Sequence, residues 1–172
     1  MRTALTFATV ALLAACTPAP SQAPADPAPP PSAAAAPDSA LASATLNTGQ
    51  WFYNADESVS AAGFGAPQSE YQLTLVCNEG SGRVTITSDH ELVPDQATTL
   101  ALITAGRTFD VPATSFNEGL PHVSGEIADA ARQAELVAAL SAPQERIGVD
   151  VGGDVRVYPW DESIARALAP CA

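Results

Sequence analysis

The chain has no lysine, and its seven arginines stand against 19 acidic residues, a formal net charge of −12 at pH 7. Without a basic cluster it lacks the surface that releases counterions from nucleic acid, and no basic patch is present to hold it on an anionic bilayer. Histidine is nearly absent. Of the two, His90 lies in Asp89-His90-Glu91, where adjacent side chains diverge and no second cluster completes a metal-ligand set. No metal or cofactor is expected. The nucleophile elbow Gly-x-Ser-x-Gly is missing. Asp56-Glu57 and Asp150…Asp154 lack the spacing of a calcium loop, and neither Gly63-x-Gly65 nor Gly152-Gly153 is followed by the lysine or helix start of a phosphate loop. Carboxylates are plentiful, but their spacing selects no acid–base pair. No catalytic residue is therefore assigned. No apolar run approaches the ~20 residues that span a bilayer.

What is present begins at the N-terminus. Arg2 is the only basic residue before Arg83, and residues 4–13 form an apolar run. A run of about ten residues suits the core of a secretory signal rather than a membrane span. It ends in Leu13-Ala14-Ala15-Cys16. This pattern resembles the lipobox of bacterial lipoproteins, and the resemblance covers residues 1–16. It implies cleavage before Cys16, a diacylglycerol thioether on that sulfur and acylation of the new amino group. A thiolate suits the first step because it is the one side chain that attacks a lipid donor readily near neutral pH. Two or more acyl chains, at ~0.8 kcal/mol per buried methylene, make a stable anchor. In Gram-negative lipoproteins Asp after the cysteine favours retention in the inner membrane. Thr17 departs from that, so the resemblance implies sorting to the outer membrane, facing the periplasm.

Residues 17–46 hold eight prolines and eleven alanines, with Leu41 and Leu46 as the only large apolar residues. Such a segment has no apolar period with which to bury a core. It reads as a disordered spacer, reaching up to ~90 Å if fully in polyproline II at ~3.1 Å per residue. The folded part is expected from residue 47 to 172. It carries 17 acidic residues and six arginines, a net of −11, and is long enough for one domain with its own core.

Within it, Trp51-Phe52-Tyr53 suggests a short strand and residues 54–68 a loop. Residues 70–78 alternate cleanly, with Tyr71, Leu73, Leu75 and Cys77 on one face, and return through Gly80-Ser81-Gly82 into a strand at 83–88. Strands are expected at 98–104 and 107–115, the latter an edge strand because of Pro112, with a short one from His122. Residues 130–141 carry a helical stripe of Gln133, Leu136, Val137 and Leu140. Strands 146–151 and 154–159 join through Gly152-Gly153, with Ile147, Val149 and Val151 answered by Val155 and Val157. Asp161 caps a last helix over Ser163–Leu168. The fold class is α+β, a mostly antiparallel sheet with two short helices. Cys77 and Cys171 are the even pair left once Cys16 is lipidated, and both fall on apolar faces, so an exported chain is expected to join them in a disulfide.

Three consecutive aromatics cannot all face one side of a strand, and Phe64 sits between two glycines. Trp51, Tyr53 and Phe64 are thus candidate contacts for a sugar or peptide. The expected role is a non-catalytic binding or interaction module, anchored to the envelope by its lipid, with an envelope protein or glycan as partner and no nucleic acid. The alternative is a small tethered hydrolase acting on envelope polymer or peptide.

Overall fold

The computed structural model describes residues 41–117 and 119–172. The expected signal segment, Cys16 and the spacer as far as residue 40 lie outside the described residues. Nine strands form one antiparallel sheet: β1 (Gln50–Ala55), β2 (Val59–Gly65), β3 (Tyr71–Asn78), β4 (Arg83–Ser88), β5 (Ala97–Thr104), β6 (Arg107–Phe116), β7 (His122–Glu126), β8 (Arg146–Val151) and β9 (Asp154–Pro159). Their order is β1-β2-β3-β4-β7-β6-β5-β8-β9. Two helices, α1 (Ala130–Ser141) and α2 (Glu162–Leu168), follow β7 and β9, and a 3-10 turn (Ala169–Cys171) ends the chain.

The sheet curls until its edges meet. Leu46 bridges Val157 in parallel, the Asn47 amide donates to the Val157 carbonyl at 2.7 Å, and the Trp51 indole N–H donates to the Pro159 carbonyl at 2.7 Å. Closure of this kind covers the free backbone groups of edge strands. The inner face carries Leu73, Leu75, Cys77, Ile86, Leu100, Leu102, Val111, Val123, Ile147 and Val149, all fully buried. Both helices pack against this core. Gln133, Leu136, Val137 and Leu140 of α1 are buried as the helical spacing predicts. Asp129 caps α1 through the Arg132 amide, and Asp161 caps α2 through the Ser163 amide. Gln133 also ties α1 to the β3–β4 turn, accepting from the Val84 amide at 3.0 Å and donating to the Gly82 carbonyl at 2.8 Å. Cys77 and Cys171 form the disulfide, with an S–S distance of 2.01 Å across a sequence separation of 94. It fixes the C-terminal turn to β3.

Several expectations are corrected. Residues 54–68 are not one loop, for they contain β2. Its Ala- and Gly-rich sequence reads as loop, yet small side chains are what its position requires. A Cβ on Gly63 would lie 2.8 Å from the Tyr71 ring, and one on Gly65 would lie 2.9 Å from the Glu70 carbonyl oxygen. Pro112 is not on an edge, because β6 lies between β5 and β7. The two-residue turn makes Thr104 and Arg107 a hydrogen-bonded pair, so by alternation Thr99 and Pro112 are a pair without hydrogen bonds. On the β7 side the register begins only at Ala113, so the missing amide costs no ladder bond. In the β8–β9 hairpin Val149 faces Arg156 and Ile147 faces Tyr158. Arg156 and Tyr158 therefore share the face of the valines, and Val155 and Val157 lie on the outside.

The outward Val157 has a partner that moves the domain boundary. Leu41, 4% exposed, packs with Val157 and Ile103 in a separate cluster on the outer face. A Cβ on Gly148 would lie 2.5 Å from the Leu41 Cδ2, so glycine makes the seat for this leucine. The Arg146 guanidinium donates to the Leu41 carbonyl at 3.1 Å. The packed part thus includes Leu41, six positions ahead of residue 47.

Candidate functional site

The sequence-selected aromatics separate cleanly. In the β1–β2 register Trp51 faces Phe64 and Tyr53 faces Ala62, so both point to the interior side. Trp51 meets the Phe64 ring edge-on at 5.4 Å. The Arg166 guanidinium of α2 lies 3.9 Å from the centre of the Tyr53 ring, a cation–π contact that seats the helix. Phe64 is fully buried within β2 and meets Tyr158 at 5.1 Å. It is a core residue and not a loop tip. None of the three presents a free ring as a binding surface.

The outward ring of the triplet is Phe52, opposite Gly63. Its neighbour is Tyr71, at 5.9 Å. Tyr71 was expected on the inner face with Leu73, and a bulge reverses it. Phe64 pairs with Leu73 but Gly65 pairs with Tyr71, a register shift of one residue. An extra residue in one strand re-aims the side chain beyond it. The ring of Tyr71 therefore lies over Gly63 on the outside and is 46% exposed. Alternation alone cannot reveal this, because the bulge breaks the period it relies on.

From this ring a row of hydroxyls crosses the sheet. Thr74 pairs with Thr87, Thr87 with Ser124, and Ser124 with Thr114. Four side chains of β3, β4, β7 and β6 thus lie in register, spanning ~14 Å at ~4.8 Å per strand. All four are half-buried, and Thr87 and Ser124 share a hydrogen bond at 3.1 Å. Beside the row, the Phe116 and His122 rings stack at 5.2 Å. The His122 Nδ1–H donates to the Leu120 carbonyl at 3.0 Å, which fixes the ring. Two depressions flank this stack. One, of about 590 Å³, is lined by Thr85, Thr114, Phe116, Ser124 and Glu126 among others. The other, of about 240 Å³, includes Glu70, Tyr71, Thr74, Thr87, Asp89 and His122. The face combines exposed rings, aligned hydroxyls and carboxylates, the groups that bind polar ligands by stacking and hydrogen bonds.

A second polar cluster lies at the junction of β4, the segment after it, and β9. His90 is 2% exposed. Its Nδ1 is 3.0 Å from the Ser88 Oγ, and its Nε2–H donates to the Asp154 carbonyl at 3.1 Å. The Asp154 carboxylate is 3.7 Å from that same nitrogen. Burial, then the Arg156 charge, holds the imidazole below its ordinary pKa. Arg156 itself pairs with Asp89 and Asp154. Burial pushes the nearby Tyr158 phenol up to about 12. Serine, histidine and aspartate meet here, but Ser88 is 1% exposed, and a nucleophile must reach its substrate. The cluster joins the β8–β9 turn to β4. Among the described residues no group of three or more His, Cys, Asp or Glu is placed to hold a metal ion.

Comparison with family models, with curated proteins and with solved structures finds no match to this chain.

Proposed function

We propose that this protein is an exported bacterial lipoprotein, held by a lipidated Cys16 at the envelope and sorted to the outer membrane facing the periplasm. Its domain is a non-catalytic binding module that recognises an envelope component. The observation that supports this most is the outer face of β3, β4, β7 and β6, where a bulge turns Tyr71 out onto Gly63 at the end of the hydroxyl row. Bulges are features that re-aim side chains next to functional sites.

The test is photo-crosslinking in the envelope. A photoreactive side chain at position 71 or 116 of the full-length chain is expected to capture a discrete envelope component, and one at Val155, on the outside of β9, is not. Equal capture from all three positions, or none from 71 and 116, rejects the reading.

A further inference from the structure

We infer that the outer face of β3, β4, β7 and β6 binds a glycan strand of amino sugars. This rests on the reading of the domain as a binding module and names its ligand class. All four strands are paired on both sides, so no free edge offers strand addition to an extended peptide. What the face offers is side-chain chemistry. The apolar faces of sugar rings stack on aromatic rings, and Tyr71 stands at the end of the row with the Phe116–His122 pair beside it. Sugar hydroxyls donate and accept, as do Thr74, Thr87, Ser124 and Thr114. A row spanning ~14 Å is an extended linear site.

Charge selects among glycans. Glu70 and Asp89 line one depression, and Glu126 lines the other together with one arginine, Arg83. Asp89 is engaged by Arg156, and Glu126 accepts from the Thr85 hydroxyl at 3.0 Å through one of its two oxygens. Glu70 and the second oxygen of Glu126 complement N–H donors. The folded part as a whole carries a net −11. Glycans bearing carboxylates, sulfates or phosphates are repelled by this field. An amino sugar supplies the matching group, because its C2 nitrogen carries a donor whether as amide or ammonium.

The test is titration calorimetry on the full-length chain with four oligosaccharides of matched length: an N-acetylglucosamine oligomer, its deacetylated form, a glucose oligomer without nitrogen, and a sulfated oligomer. Both nitrogen-bearing oligomers are expected to bind, the glucose oligomer about fivefold or more weakly, and the sulfated one not at all. Tyr71→Ala is expected to weaken binding about tenfold. Thr87→Val, which keeps the shape and removes one hydroxyl, is expected to weaken it about threefold to tenfold. The valine variant keeps the question open to measurement if the alanine variant fails to fold. Equal affinity for the glucose oligomer, or affinities unmoved by Thr87→Val and Tyr71→Ala, overturns the proposal. No binding to any oligomer, together with crosslinking of a protein from positions 71 and 116, overturns the glycan and leaves the binding module standing.

Discussion

Leu41→Ala tests whether Leu41 belongs to the folded part. Leu41 is 4% exposed against Ile103 and Val157, above Gly148. The substitution removes three carbons. At ~0.8 kcal/mol per buried methylene the transfer loss is about 2.4 kcal/mol. Leu→Ala changes in deep cores cost about 2.7–5 kcal/mol, the excess coming from the cavity left behind. This cluster lies on the outer face and can partly collapse, so the expected loss is about 2–3 kcal/mol. For a domain of this size that corresponds to a fall in Tm of roughly 10 °C, or a shift of about 1 M in the urea midpoint with an unchanged slope. Gly148→Ala supplies the companion measurement. Its new Cβ would sit 2.5 Å from Leu41 Cδ2, with its other neighbours at ordinary contact distance. It should destabilise the native chain by displacing Leu41, yet be nearly neutral in the Leu41→Ala background. Coupling of this kind is the mark of residues in contact. A loss below about 0.5 kcal/mol for Leu41→Ala, or additive effects of the two changes, would refute the seat and return residues 41–46 to the spacer.

Replacing Cys77 and Cys171 by alanine releases a loop of 94 residues and is expected to lower stability by about 4–5 kcal/mol in the chain-entropy model, measured by urea denaturation with and without reductant. Gln133→Leu leaves the Val84 amide and the Gly82 carbonyl without their partner. It should cost about 2–3 kcal/mol and, in amide hydrogen exchange, release protection at Val84 ahead of the rest of β4. His90 gives a pH signature. Its folded pKa lies below the ordinary 6.5, so the unfolded chain takes up the proton first. The stability from its neutral form is complete above about pH 6.5 and is lost as the pH falls below that towards the folded value. His90→Gln should flatten this part of the stability–pH curve, and an unchanged slope would show that His90 does not titrate with unfolding.

The extent to which the fold was legible follows from which residues obey a simple period. In β3 and β4, Leu75 faces Ile86 and Cys77 faces Val84, and Leu73 continues the alternation, so the hairpin is plain from the letters. Helix α1 announces its buried stripe of Gln133, Leu136, Val137 and Leu140 at helical spacing. Strand β2 hides because its contacts demand Gly63 and Gly65, residues that otherwise mark loops. Tyr71 hides for a second reason. Its direction depends on how β2 and β3 are registered around Phe64, a property of two segments together. The same holds for Val155 and Val157, whose face is set by the pairing of β9 with β8. Leu41 looks like a stray leucine in an Ala- and Pro-rich segment until Gly148, more than a hundred positions away, is seen to leave room for it. The candidate face was illegible for these reasons combined. Its hydroxyls are ordinary solvent-side residues of four separate strands, and only the strand order β3-β4-β7-β6 puts them in one row.

The central claim, a disulfide-locked domain held at a membrane by lipid, is tested most directly by the intact mass of the protein extracted from membranes, before and after reduction. The account predicts a mass lacking residues 1–15, carrying acyl chains on Cys16, and gaining two hydrogens when Cys77–Cys171 is reduced. A mass without acyl chains, or one that retains residues 1–15, would contradict the anchor and with it the tethered module.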